Sequence, residues 1–177
     1  MQIPTRHLAL LAGSLFAVTA AIDIPHDQAK VFDSTLDYVL EASFTLALVA
    51  GAATLFSLFR SAHGWGPRLG FGLSSLGTLT VALAAGATLV NGRETLDSVF
   101  PLGLLGITLG YVVLAVADLR RRVHPRFAGL ALVGTVVAMI ALGDGYGVIA
   151  WSAGWFTVAA LLAPTHVTAR REHALPT

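Results

Sequence analysis

Chemistry in this chain rests on a few polar side chains, and the acidic ones come first. Asp33, Asp37 and Glu41 follow one another at i, i+4 steps, so on a helix they share a face, which Thr45 continues. Four residues of rise place Glu41 about 6 Å farther along that helix than Asp37, a depth that is costly for a carboxylate in a membrane unless it meets a partner, a wet cavity or a proton. With Asp23, His26 and Asp27 just upstream, the cluster has the oxygen donors of a divalent-cation site. The same residues also read as a cation-binding vestibule, or as an acid poised by desolvation. A structural reading stands beside these. Ser34 with Asp37, and Thr95 with Ser98, have the form of helix starts, where a first-turn acid is favoured by the helix dipole. The second chemical group is aromatic: Tyr111, and Trp151 with Trp155 one turn on, read either as the lining of a ligand pocket or as core packing.

The elements that must hold these residues follow from composition. Of 177 residues, 55% are hydrophobic and 12% charged, against roughly 25% charged in a soluble domain. A chain this short cannot bury that much apolar surface in water. Apolar runs near the 20 residues needed to cross a bilayer occur at 7–24, 36–59, 69–90, 97–118, 127–143 and 146–165. The last two are divided by Gly143-Asp144-Gly145-Tyr146-Gly147, a turn-forming string. The expectation is an all-α polytopic transmembrane bundle of six spans.

Basic residues orient it. Arg6, Arg60, Arg68, Arg120, Arg121, Arg122, Arg126, Arg170 and Arg171 fall on one side of the six-span arrangement, and only Lys30 and Arg93 on the other. Because Lys and Arg in short loops resist translocation, both termini are expected in the cytoplasm and the protein in the plasma (inner) membrane. Cleavage of the first run as a signal peptide near Ala20 would leave five spans in the same orientation. Thr35-Leu36-Asp37-Tyr38-Val39 recurs as Thr95-Leu96-Asp97-Ser98-Val99, and Pro4-Thr5-Arg6, Pro67-Arg68 and Pro125-Arg126 each precede an outward run carrying Gly-Ser or Gly-Thr. This predicts three tandem hairpins, approximately 1–66, 67–124 and 125–171, with 172–177 a cytoplasmic tail.

Small residues at every fourth position let helices approach closely in lipid. One stripe is Ala9, Gly13, Ala17 and Ala21; another is Gly70, Ser74, Thr78, Ala82 and Gly86, with shorter pairs at Gly106 and Gly110 and at Ala150 and Gly154. They read as packing within the bundle, or, for the first stripe, as docking of a membrane partner. Trp65, Phe71 and Phe127 read as interface anchors. No histidine falls deep in a span, which disfavours a bis-histidine haem and a histidine proton relay. With no cysteine, no Gly-rich phosphate loop, no His-Glu-x-x-His and no Gly-x-Ser-x-Gly, the sequence implies no cofactor. A formal net charge of +1 suggests no nucleic-acid partner.

Thr35-Leu36-Asp37-Tyr38-Val39-Leu40-Glu41 before an Ala/Leu-rich helix, with His124-Pro125-Arg126-Phe127-Ala128-Gly129, resembles a group of uncharacterised small multi-span bacterial membrane proteins known only as domains of unknown function. That resemblance implies a helical bundle and no activity. The preferred expectation is a non-enzymatic bundle binding a lipidic or small ligand, or a membrane partner, through an outward-facing acidic vestibule. One alternative is the substrate-binding subunit of a modular vitamin or metal transporter. Another is a small intramembrane enzyme, terpene-cyclase-like, with Glu41 or Asp97 as acid. The candidate site residues are therefore Asp37, Glu41, Asp97, Tyr111, Trp151 and Trp155, with Asp23, His26 and Asp27 as the weaker metal set.

Overall fold

The computed structural model describes residues 4–25, 32, 34–93, 98–120, 123, 125–143 and 146–163. Among them the chain forms six α-helices: α1 (Thr5–Asp23), α2 (Thr35–Ser61), α3 (Trp65–Asn91), α4 (Val99–Leu119), α5 (Ala128–Leu142) and α6 (Tyr146–Leu161). They stand where the six apolar runs predict them. By length and composition α1 to α4 can cross a membrane. The 27 residues of α2 and of α3 each reach about 40 Å, beyond the hydrocarbon thickness.

Differences from the predicted spans have local causes. The third helix begins at Trp65 rather than near residue 69, because Gly64 takes the turn at φ 90° and Pro67 falls in the first turn, where its missing N–H leaves no bond unmade. The fifth has 15 residues, about 22 Å, since Phe127 at φ 72° and Gly143 at φ 73° close it at both ends. Described residues of the sixth end at 163, and the tail at 172–177 lies outside the described residues.

Each helix packs against its neighbours in sequence, and α6 returns to α1, so the six form a closed ring. The seams between α2 and α3 and between α4 and α5 join the three sequence hairpins into one body. Glycine sets the closest approach. A Cβ on Gly77 would lie 2.5 Å from the Ile107 nitrogen and 2.6 Å from the Gly103 oxygen, so α3 and α4 meet backbone to backbone. Gly129 likewise meets the α4 backbone at Leu114 and Ala115, and Gly154 faces Thr135 across the α5–α6 seam. Hydroxyls tie the remaining seams, where few competing partners exist in lipid. Thr5 and Ser57 pair at 2.6 Å and Thr19 and Ser43 at 2.9 Å between α1 and α2. Ser75 donates to the Ala52 carbonyl at 3.2 Å, and Ser152 to the Gly13 carbonyl at 2.8 Å.

The small-residue stripe of α1 divides. Ala9 and Gly13 are buried, Gly13 beneath the Phe156 ring of α6, whereas Ala17 and Ala21 are exposed. Of the three expected interface anchors, Trp65 is 80% exposed and Phe127 50%, but Phe71 is 0% exposed and belongs to the core. Phe71 follows Gly70 on the face of α3 that turns inward, and that rotation, which composition does not reveal, decides its place. The outer surface carries large apolar residues such as Leu83, Val90 and Ile140, as a lipid-facing surface requires.

Close contact at Gly77 gives a direct test. Gly77→Ala should lower stability by about 1–3 kcal/mol, the range for overpacking against atoms that cannot retreat. Gly134→Ala, with nothing within 4 Å of the new methyl, should be neutral or stabilise by up to about 1 kcal/mol. Reversible unfolding in mixed micelles distinguishes the two, and equal effects would contradict the backbone contact.

Candidate functional site

The acidic end of the bundle is built from the start of α2 and the end of α1. Ser34, extended at φ −127°, is the N-cap residue: its Oγ accepts from the Asp37 N–H at 3.3 Å. In return Asp37 Oδ2 accepts from the Ser34 N–H at 2.9 Å and from the Ser34 hydroxyl at 2.8 Å. This reciprocal capping box satisfies N–H groups that a helix start leaves unpaired. Asp37 is fully buried, so its carboxylate is a structural element of the helix start. Ser98, the equivalent residue of α4, makes no side-chain cap bond. Asp97, with Thr95, lies outside the described residues, as do Asp33, His26 and Asp27.

One turn inward from Asp37, Glu41 is 8% exposed and lies on the inward face of α2. The Thr19–Ser43 bond fixes α1 beside this part of α2, which brings half-buried Asp23, one turn beyond Thr19, to the same end of the bundle. Asp23, Asp37 and Glu41 are all engaged with neighbouring groups. Among the described residues no three His, Cys, Asp or Glu side chains are placed to hold a metal ion. A further turn inward, the buried Thr45 hydroxyl has no hydrogen-bond partner, whereas Thr19, Thr54 and Thr78 donate to the carbonyl four residues back.

Tyr111, Trp151 and Trp155 do converge. All three are buried and line one cavity on the ring axis together with Phe16, Leu48 and Thr78. The Trp155 ring reaches in because Gly51 has no side chain: a Cβ there would lie 2.8 Å from it. Trp151 is held by Phe16, edge-on at 5.0 Å, and by Phe44, stacked at 6.2 Å with the planes 8° apart. The cavity measures about 10 Å³, the room for one water, against roughly 300–1,000 Å³ for sites that take organic ligands. On α2, Glu41 is seven residues from Leu48, about 10 Å along the axis. The acidic and aromatic groups are thus two separate places.

One buried carboxylate was not singled out by sequence reasoning. Asp118, 3% exposed near the end of α4, accepts from the Phe127 N–H at 3.2 Å and from the Leu130 N–H at 3.0 Å. It therefore caps the start of α5 from the neighbouring helix, where α5 has no side-chain cap of its own. The Arg126 guanidinium lies 4.7 Å over the Phe127 ring at the same turn. The signal in the sequence is a lone acid two residues before Arg120, Arg121 and Arg122.

The chain matches no protein-family model, no curated protein and no solved structure.

Both caps can be measured. Asp118→Ala leaves two N–H groups of a part-buried turn without their acceptor and should cost about 1–3 kcal/mol, with Asp118→Asn milder because the amide oxygen still accepts. Ser34→Ala should cost about 1 kcal/mol. Unfolding in mixed micelles reads both, and an unchanged midpoint in Asp118→Ala would remove the interhelical cap.

Proposed function

We propose that this chain is a non-enzymatic membrane bundle that binds a small or lipid-borne organic cation at its acidic end, with Glu41 as the recognising carboxylate. The observation that carries the reading is the burial of Glu41, 8% exposed on the inward face of α2. Ionisable groups at such depth are expensive and are kept where they serve a site. A divalent metal asks for six or more oxygens, or an octahedral set completed by water, and Asp37 is spent on the helix start. A monovalent amine needs only one well-placed carboxylate. A second reading, docking on a partner subunit such as a transporter module, draws on Ala17 and Ala21, which α6 leaves exposed.

The orientation belongs to the same proposal. The acidic end faces outward, both termini are cytoplasmic, and the membrane is the inner one; the support is the arginine distribution.

Two experiments test this. Purified protein titrated with ethanolamine, choline, Mg²⁺ and Ca²⁺ should show thermal stabilisation by an amine that rises with the logarithm of its concentration, about 2.7 kcal/mol at a hundredfold excess over Kd. Glu41→Gln should abolish it while remaining folded. No concentration-dependent stabilisation of the wild type by an amine, or the same response in Glu41→Gln, defeats the reading. For orientation, Asn91→Cys should react with an impermeant maleimide from outside and His63→Cys only after permeabilisation. Both positions are exposed, and they avoid Gly92 and Gly64, whose φ of 61° and 90° would strain a side chain. The reverse pattern rejects the topology.

A further inference from the structure

Six helices packed as neighbours around a ring leave a space on the axis, and large side chains fill it here. Phe16, Leu48, Ile107, Tyr111, Trp151 and Trp155 reach it from α1, α2, α4 and α6. They leave a cavity of about 10 Å³. Cavities with purely apolar walls stay dry, but a polar one of this size takes a water when two to four partners are present.

Trp151 supplies the first partner. It lines the cavity, is 6% exposed, and its Nε1–H is buried with no hydrogen-bond acceptor among the described residues. An indole N–H can only donate, and leaving it unpaired forfeits the full desolvation cost of the group. The ring cannot turn toward a carbonyl, because Phe16 and Phe44 hold it on two sides. An acceptor must come to it. Two hydroxyl residues share the wall. Thr78 has committed its proton to the Ser74 carbonyl at 2.8 Å, which leaves its oxygen as an acceptor, and the Tyr111 hydroxyl can accept as well. Among the described residues no cationic side chain lines the cavity, so a halide of similar size would lose its hydration without compensation.

We propose that the axial cavity is a binding site for a single ordered water, which accepts the Trp151 indole proton and donates to the hydroxyl oxygen of Tyr111 or Thr78. The water then links α6 to α4 or α3, helices that are not neighbours in the ring. It is a hydrogen-bonded tie across the bundle, and it does not depend on what Glu41 binds.

The test is NMR of protein carrying ¹⁵N-labelled tryptophan in micelles, with the three indole signals assigned through Trp65→Phe, Trp155→Phe and Trp151→Phe. If Trp151→Phe does not fold, the first two assign its signal by elimination. The Trp151 indole proton should lie at a hydrogen-bonded shift and show direct dipolar transfer from water. Tyr111→Phe or Thr78→Val should reduce that transfer several-fold. In thermal unfolding, the loss of Tm in Trp151→Phe should be non-additive with the loss in whichever of these two removes the water. An indole proton at an unbonded shift with no transfer from water, or strict additivity with both hydroxyl variants, overturns the site.

Discussion

Helices immersed in hydrocarbon gain no hydrophobic energy by meeting one another, so their association depends on how closely backbones can approach and on polar groups shared between them. Dispersion falls off within an ångström, which makes a missing side chain at the contact more valuable than a large one beside it. The α3–α4 seam shows this most directly: Gly77 rests against the Gly103 oxygen and the Ile107 nitrogen, with no space for a methyl. Gly129 and Gly154 repeat the device at the next two seams. Where glycine is absent, as between α1 and α2, paired hydroxyls hold the contact. Every later feature inherits its position from these seams, including the alignment of Asp23 with the start of α2.

Closing a ring of six creates a problem that the seams do not solve, because the axis must be filled by side chains alone. Aromatic residues suit it, being large, rigid and tolerant of edge and stacked contacts. Phe16, Phe44, Trp151 and Trp155 form such a filling, and Gly51 is the concession that admits Trp155. A tryptophan brings an N–H that an aliphatic residue would not. At the centre of the ring the demands of shape and of hydrogen bonding therefore conflict, and Trp151 is where the conflict falls.

What the sequence disclosed was governed by local rules, and what it concealed depended on rotation and on distant partners. Six apolar runs became six helices, and Ser34 with Asp37 formed the cap their spacing suggested. The matching Gly-Ser and Gly-Thr positions do not behave alike. Gly13 and Gly77 lie in seams, while Gly134 has nothing within 4 Å, since each helix is turned differently about its own axis. Phe71 was misplaced at the interface for the same reason. Asp118 escaped notice because its partners are nine and twelve residues away, across a turn whose left-handed Phe127 no residue pattern announces. The convergence of Tyr111 with the two tryptophans was conceivable from sequence, but the size of the space between them was not.

The acidic end joins these themes. Asp37 and Glu41 are four residues apart, so a single rotation of α2 sets both directions. Ser34 and Asp37 lock that rotation at the first turn, and the Thr19–Ser43 bond locks it again two turns farther on. A slip of one residue would swing Glu41 by about 100° around the helix, from between its neighbours toward lipid, where an ionised carboxylate is least tolerable. Asp37 need not touch a ligand to matter for one. By fixing the helix start it determines which way the deeper acid points, so a loss of binding in an Asp37 variant would report on the aim of Glu41 rather than on a second recognising charge.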